Sequence, residues 1–337
     1  MPHKKKRKLT RNKIIAIVAA GVAILAAVAI IIVNVFVPVK YLSSYFVLKD
    51  STAAGQMRVS FVDVGNSDCT IIELPDGKTV LIDGGDGTYP HNLKIFKELN
   101  RRNIDKIDYL ICSSVEEGAC GGLSEILKYK SVGKIFAPYY PITYINSGYN
   151  SFCAELKNFG GEVSYCEYGA GIKGDGYSLC FLSPDSHAYE GGEYSQLLKD
   201  PSLKNVKNAS AVIWLEYSGI SFLFLGSTGQ AVQTKLINFY NASGFEFGGR
   251  KIDLTKCTIV KMSDHGSTDG SYAPFLDLIK PKVAIISVGA NGMGLPTLAA
   301  LSNAQNFVGD NILRTDELGT VTMTVKDGRY ETSKEKK

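Results

Sequence analysis

The stretch FVDVGNSDCTIIELPDGKTVLIDGG, residues 61–85, contains the pattern that decides the fold. Short runs rich in β-branched residues predict strands over Arg58–Val64, Cys69–Leu74 and Thr79–Ile82. The Pro75–Gly77 triplet between the last two runs is a tight-turn signal, so these strands are expected to form a hairpin. A folded domain that opens with antiparallel β-structure is therefore predicted.

The chain beyond this stretch alternates between strand and helix patterns. Further strands are predicted at Tyr109–Ser113, Lys134–Phe136, Leu179–Leu182, Ala211–Glu216, Ser221–Leu225, Thr258–Met262, Val283–Ser287, Ile312–Arg314 and Thr320–Val325. The Ser-Gly pair of EYSGIS predicts a second hairpin, and HNLKIFKELNRR, GGLSEILKYK and SYAPFLDLIKPK have helical periodicity. Hairpins followed by alternating strands and helices predict an α/β fold, a four-layer αββα sandwich with both sheets inside.

An apolar run precedes this domain. Residues 14–33 carry no charge and are long enough to cross a ~30 Å hydrocarbon core as a helix. A secretory signal peptide is the alternative, but its apolar region is typically only ~7–15 residues, and no A-x-A site follows here. The KKKRK run before the span fits a nuclear import signal less well than a positive-inside flank. A single-pass cell-membrane protein is predicted, with a cytosolic N-terminus and an extracytoplasmic main domain.

Five segments follow from these patterns. They are a basic cytosolic tail (1–13), a transmembrane helix (14–38), a linker (39–56), the folded domain (57–326) and a charged tail (327–337), whose last residues, ETSKEKK, are expected to be frayed. Seven basic residues and no acidic ones precede residue 14, which leaves 30 basic against 33 acidic residues in the remainder. The folded part is therefore not predicted to carry a strongly basic face for nucleic acid.

The cysteine pattern predicts neither a zinc site nor a disulfide framework. No CxxC pair and no Cys/His cluster of zinc spacing occurs among the seven cysteines, which are Cys69, Cys112, Cys120, Cys153, Cys166, Cys180 and Cys257. The odd number leaves at least one unpaired, and several lie within apolar runs such as YSLCFL. Buried free thiols are the expected state.

The opening stretch resembles the start of the metallo-β-lactamase-fold domain of ComEC-type competence proteins and their small hydrolase relatives, which reads FLDVGQGDSxLIxxPxGxxxLIDGG. The similarity continues through NIDKIDYLICSS, KMSDHGSTDG, PKVAIISVGANGMGLP and LRTDELGTVTM, and covers about residues 57–326. The combination in this order is specific for the fold. The resemblance thus implies a metallo-β-lactamase fold, the sandwich already expected from the strand and helix pattern.

The resemblance also implies a dinuclear metal site, and the sequence departs from the family's pattern there. A THxHxDHxGG turn supplies two histidines to one metal, and an aspartate with a third histidine to the second, and the two metals share an activated hydroxide. In LICSSVEEGACGGL the threonine becomes Ser113, the first two histidines become Ser114 and Glu116, and the aspartate and last histidine become Gly118 and Ala119. Glycine and alanine have no side-chain donor, so the second metal position is predicted to be lost.

Three further family motifs show the same loss of ligands. The bridging aspartate becomes Ser227, the HHGS turn becomes Asp264-His265-Gly-Ser, and the histidine of the G-H-P turn becomes Leu295. Glu116, Asp264 and His265 remain as weak candidate ligands for a single Zn²⁺, Mn²⁺ or Mg²⁺ ion. A chain without a metal cofactor is the favoured prediction.

Other catalytic arrangements find less support in the sequence. Asp83 and Asp86 lie on a nearby Asp-Gly-Gly-Asp-Gly loop that supports the site in the family. Ser114 or Cys112 as a nucleophile would need a base, for which His265 is the candidate. The other histidines are expected away from the site: His3, His91 and His187.

Tyrosines are dense from Tyr139 to Tyr149 (YYPITYINSGY), and more follow downstream at Tyr165, Tyr168, Tyr177, Tyr189 and Tyr194. Tyrosine side chains stack on sugars, peptides or bases, although they are also common on strand surfaces. If these residues line the mouth of the cleft, they form a binding surface.

We therefore predict a catalytically inactive protein that acts in binding or scaffolding at the cell surface, with an envelope glycan, a peptide or a protein as its partner. The alternative is a metal-dependent hydrolase, a nuclease or phosphodiesterase related to DNA uptake, with a remodelled single-metal site and nucleic acid as substrate. A third hypothesis is an assembly with an intact paralogue. A fold does not fix a function, and here the site argues against the inherited activity.

Overall fold

The computed structural model describes residues 11–36, 39–139 and 146–336. The helices are α1 (Arg11–Phe36), α2 (Tyr89–Arg101), α3 (Glu117–Cys120), α4 (Leu123–Tyr129), α5 (Ser147–Leu156), α6 (Glu193–Lys199), α7 (Leu203–Asn208), α8 (Gln230–Ala242), α9 (Ala273–Ile279), α10 (Leu298–Val308) and α11 (Thr315–Leu318). The strands are β1 (Met57–Phe61), β2 (Thr70–Glu73), β3 (Thr79–Ile82), β4 (Lys106–Ile111), β5 (Ser131–Ala137), β6 (Glu162–Tyr165), β7 (Gly171–Lys173), β8 (Tyr177–Ser183), β9 (Val212–Tyr217), β10 (Ile220–Phe224), β11 (Phe245–Phe247), β12 (Arg250–Ile252), β13 (Ile259–Lys261), β14 (Val283–Ile286), β15 (Ile312–Arg314), β16 (Val321–Lys326) and β17 (Arg329–Lys334).

The chain divides into two compact units after residue 46. The first contains α1, whose segment Arg11–Ile31 has a mean hydropathy of 3.1 and is long and apolar enough to cross a membrane. A short 3₁₀ helix, Val39–Tyr45, follows in a segment predicted to be a linker. The second unit contains the strands and the remaining α-helices.

Eight strands form the first sheet in the described part of the chain. Their order is β17-β16-β1-β2-β3-β4-β5-β6, antiparallel as far as β3 and parallel from β3 to β6. The predicted hairpin joins β2 to β3, where Gly77 has φ +84°, a conformation that favours glycine. Because β3, β4, β5 and β6 are parallel, their carboxyl ends meet at one edge.

The second sheet has the order β15-β14-β13-β10-β9-β8-β7, seven strands among the described residues. Strands β10, β13, β14 and β15 are parallel, while β7 to β10 are antiparallel. The second predicted hairpin joins β9 to β10, and its turn residues Ser218 and Gly219 both have positive φ, as a type I′ turn requires.

The two sheets pack face to face with helices outside them, so the predicted α/β class and four-layer αββα sandwich are confirmed. Phe61 of β1 and Phe224 of β10 meet across the interface with ring centroids 6.0 Å apart. On the same strand Leu223 points the other way and packs with Leu236 of α8 and Phe275 of α9. Strand β10 is buried on both faces, which explains why its sequence is continuously apolar rather than alternating.

The predicted frayed tail is wrong. Residues Arg329–Lys334 form β17 and pair antiparallel with β16 through the tight turn at Asp327 and Gly328. The strand lies at the edge of its sheet and exposes most of its side chains, so charged residues are tolerated there while the backbone is paired. Its polar composition therefore resembled that of a disordered tail.

We expect truncation of Phe222 in β10 to destabilise the second unit strongly. Its side chain is 1% exposed in the core between the sheets. Phe222→Ala should lower the free energy of unfolding by about 3–5 kcal/mol because a cavity remains. The change is measurable by denaturant titration of the full chain, followed by the fluorescence of its single tryptophan, Trp214.

The control Leu298→Ala, at an 86% exposed position, should change stability by no more than about 0.5 kcal/mol. Equal losses in both variants would contradict the assignment of the core.

Candidate functional site

The predicted site residues lie where the carboxyl ends of strands from both sheets converge. Ser114 and Glu116 follow β4, Ser227 follows β10, and Asp264 and His265 follow β13. Contacts join these loops: Asp264 N donates to Gly226 O at 3.0 Å, and Ala211 N donates to Ser113 O at 2.7 Å. The loops predicted from sequence to form one site are therefore neighbours.

The three substituted positions without donors serve the backbone instead. Gly118 O accepts from Asp68 N at 3.0 Å, and Ala119 O accepts from Gly84 N at 2.7 Å. Leu295 N donates to Asn291 Oδ1 at 3.0 Å, so this residue belongs to a local turn. None of these three side chains can bind a metal.

Glu116 is the buried carboxylate of the site. Burial raises its pKa, against the lowering effects of a hydrogen bond with Ser227 and the positive charge of Lys207. Ser114 is tied to it in two ways: Glu116 N donates to Ser114 Oγ at 3.2 Å, and Ser114 Oγ donates to Glu116 Oε2 at 3.4 Å. Serines at two former ligand positions thus make hydrogen bonds to this carboxylate.

The turn that replaces the two adjacent histidines is held by other groups. Lys207 Nζ, from α7, lies 2.6 Å from Asp264 Oδ2. His265 donates from Nδ1 to Ser287 O at 2.8 Å, which holds the ring against the residue that follows β14. Asp264 and His265 both have left-handed backbones, with φ of +48° and +54°. An ammonium group therefore stands beside a carboxylate that the sequence suggested as a metal ligand.

A buried charge network lies next to this turn. Lys261 Nζ is 2.5 Å from Asp68 Oδ1, and the two side chains are only 5% and 8% exposed. Asp68 Oδ1 accepts no hydrogen bond of ordinary geometry from the described residues. The nearby ammonium group of Lys261 compensates its negative charge. Neither this pair nor the role of Lys207 was predicted from the sequence. The available signal was a lysine within the apolar run TIVKM, since a buried lysine needs a partner.

Asp83 supports the loop after β4, as expected from the resemblance. Its carboxylate accepts from Ser113 N and from Ser113 Oγ, both at 2.7 Å. Burial, together with the negative charge of Asp68, raises the pKa of Asp83 to about 7, against the hydrogen bonds from Ser113.

The remaining candidates lie outside this network. Asp86 contacts His91 Nδ1 at 2.9 Å, at the start of α2. His187 Nδ1 contacts Glu167 Oε2 at 2.7 Å, in another loop. His3 lies outside the described residues.

The nucleophile hypotheses find no support in the hydrogen bonds of the described residues. Burial raises the pKa of the Cys112 thiol well above its usual value, and its Sγ donates to Ser114 O at 3.1 Å. Ser114 Oγ bonds to Glu116, and the Nδ1 atom of His265 is engaged with a carbonyl. No bond among these residues joins either nucleophile to His265.

The seven cysteines are free and buried, as predicted. The tyrosine-rich segment lies partly outside the described residues, at 140–145. Of the other tyrosines, Tyr149 and Tyr177 are buried, and Tyr168 packs on Phe239 with ring centroids 5.3 Å apart. These three do not form a common surface with the degenerate site.

The residues present do not fit the dinuclear metal site that the fold family implies. Within the described ranges, no group of three or more His, Cys, Asp or Glu side chains has the arrangement to hold a metal ion. Glu116, Asp264 and His265 do not converge in this way, and Asp264 is paired with Lys207. Ligand number and geometry are thus both lacking.

Two facing mixed sheets, flanked by helices and with the site loops at the carboxyl ends of parallel strands, define a metallo-β-lactamase fold. ComE operon protein 3 of Bacillus subtilis (strain 168) is 24% identical over 295 residues, which are 80% of this chain and 33% of that protein. The predicted resemblance to ComEC-type proteins is confirmed. The chain spans about a third of that relative's length.

Solved structures with low similarity include CmlA, a diiron β-hydroxylase from Streptomyces venezuelae, at 14% identity and a TM-score of 0.46, with 82% of this chain and 55% of that chain covered. A diphosphatase of the PhnP family has 12% identity and a TM-score of 0.42, with 83% and 98% covered. These likenesses are too distant to inform the function. No protein-family model matches the chain.

Removal of the buried lysine should destabilise the fold. Lys261→Met leaves Asp68 buried without its counter-charge, and we expect a loss of about 3–5 kcal/mol in the free energy of unfolding. Asp68→Asn combined with Lys261→Met should recover much of this loss. The control Lys256→Met alters an 80% exposed lysine and should cost about 0–1 kcal/mol. Denaturant titration of the four proteins measures these values. If Lys261→Met were as stable as the double variant, the result would contradict the pairing of Lys261 with Asp68.

The pKa of Asp83 predicts a pH dependence of stability. Because the folded pKa, about 7, exceeds the usual unfolded value of 3.8, the folded chain retains a proton that the unfolded chain releases between these values. The Asp83 contribution is therefore complete below pH 3.8 and falls as pH rises from there to about 7, by up to about 1.4 kcal/mol per pH unit. Asp83→Asn, which is nearly isosteric, should remove this slope. Identical pH profiles of unfolding for both proteins would show that Asp83 does not titrate there.

Proposed function

We propose that this chain is a membrane-anchored protein whose extracytoplasmic metallo-β-lactamase-like domain is catalytically inactive and acts in binding or scaffolding at the cell surface. The Lys207–Asp264 ion pair is the observation that carries the proposal. An ammonium group 2.6 Å from the carboxylate repels a divalent cation and neutralises the ligand that would attract it. No metal cofactor is proposed.

The neighbouring substitutions support the same conclusion. Gly118, Ala119 and Leu295 contribute backbone contacts and no donor side chains. The mechanism of the family generates its nucleophile on a metal-bound water. Among the described residues, no group of three or more His, Cys, Asp or Glu side chains could hold a metal ion that would supply such a hydroxide.

The N-terminal segment supports the anchoring and the orientation. Helix α1 is apolar over a membrane-spanning length, and seven basic residues precede residue 14. Such a flank is retained on the cytosolic side, which would direct the second unit outward. An envelope glycan, a peptide or another protein, including an intact paralogue, is the proposed class of partner.

The proposal predicts that the purified full-length chain does not hydrolyse phosphodiesters. With added Mn²⁺ or Zn²⁺, turnover of bis(p-nitrophenyl) phosphate and of single-stranded DNA should match that of Asp264→Ala and His265→Ala, because these residues bind no catalytic metal. The control Asp277→Ala alters an exposed carboxylate on α9. Turnover that disappears in the first two variants and persists in the control would establish the single-metal hydrolase instead.

A further inference from the structure

Four rings form a compact cluster after β5 and at the end of β6, which we name the aromatic platform: Tyr139, Tyr165, His187 and Tyr194. The Tyr139 ring lies 4.9 Å from Tyr165, 4.8 Å from His187 and 5.9 Å from Tyr194, between centroids. Tyr165 and His187 are 4.6 Å apart. Residues distant in sequence are thus brought into mutual contact.

The platform has a buried base and an outer layer. Tyr194 is 1% exposed and donates its hydroxyl to Cys166 O at 2.7 Å, which anchors the base. Tyr165 is 37% exposed, and the His187 side chain is 35% exposed. Both outer side chains are therefore partly exposed to solvent, next to a buried tyrosine.

A carboxylate fixes the outer layer. Glu167 Oε2 contacts His187 Nδ1 at 2.7 Å and accepts a hydrogen bond from His187 N at 2.7 Å. Holding ring and backbone together limits the motion of His187, and a surface ordered in advance loses less entropy on binding. The carboxylate also places hydrogen-bond acceptors beside the rings.

The platform shares its edge of the sheet with the degenerate site. Strands β4, β5 and β6 are parallel, so Ser113, Tyr139 and Tyr165 stand at their carboxyl ends. Ligands of open α/β sheets bind outside the carboxyl ends of the strands. The location thus favours a binding role over a purely structural one.

The charge around the platform selects among the ligands that stack on aromatic rings. The nearby loops carry Glu167, Asp185 and Glu190. Lys235, an ammonium group in the described part of this region, is paired with Asp185 and Glu193. A phosphate backbone requires free cationic groups, so this surface is suited to an uncharged ligand whose hydroxyl or amide N–H groups meet carboxylates.

We propose that the aromatic platform binds a neutral glycan, with the apolar face of a pyranose ring against Tyr165 and the inclined His187 ring at the edge of the sugar. Sugar hydroxyls or an N-acetyl N–H donate to carboxylates at the rim. This inference rests on the proposed surface-binding function and names the ligand class. Nucleic acid is the competing class that the experiment separates.

The test uses the full-length chain in nanodiscs free of glycolipid and sugar detergent, titrated calorimetrically with N-acetylchitohexaose. The wild-type chain should bind this neutral glycan, and Tyr165→Ala should weaken binding about fivefold or more through loss of an aromatic face. Tyr165→Phe retains the ring and should stay within about twofold. His187→Ala provides a second outer-layer variant if Tyr165→Ala does not fold.

Tyr89→Ala is the matched control, since Tyr89 is 48% exposed at the start of α2 and outside the platform. It should leave affinity unchanged. Absence of glycan binding by the wild-type chain, tighter binding of an oligo-dT strand, or equal weakening by Tyr89→Ala would overturn the platform's role. None of these binding results bears on whether the chain is catalytically inactive. Phosphodiester turnover by the same sample would contradict the proposed function and leave a glycan titration interpretable.

Discussion

Burial of the Asp68–Lys261 ion pair is the constraint on which the arrangement of the site depends. Asp68 lies on the loop after β1 in one sheet, and Lys261 ends β13 in the other, so the pair joins the two halves of the sandwich. Two charges removed from water are tolerated only when they compensate each other. Their contact therefore fixes the loops at the carboxyl edge, where Asp83 and the β4 loop are packed against them.

The loops at the carboxyl ends of the strands are held in place in this way, and their side chains determine the chemistry of the site. The backbone contacts of Gly118 and Ala119 hold the loops together although neither side chain can bind a metal. The ammonium group of Lys207 lies beside the carboxylate of Asp264. The arrangement of the loops requires the buried pair and the backbone hydrogen bonds, whereas a metal requires several convergent donors.

The sequence predicted the architecture well because its signals were local. The hairpin turns at Gly77 and Gly219 and the apolar strand β10 follow from φ preferences and burial. It also predicted which loops meet, through the resemblance. It could not predict the Lys207–Asp264 contact or the ring contacts of His187, because the partners are far apart in the chain and only packing brings them together. The edge strand Arg329–Lys334 was missed because its composition is polar and its stability comes from backbone pairing.

The metal content of the protein most directly tests the central claim. This claim is that the site has exchanged metal binding for internal charge pairing. The full-length chain, purified without chelators and exposed to Zn²⁺ and Mn²⁺ before removal of free ions, can be analysed by elemental mass spectrometry. Less than one metal ion per chain, unchanged in Asp264→Ala, is the expected result. One or more ions per chain, lost in Asp264→Ala, would contradict the exchange of metal binding for charge pairing.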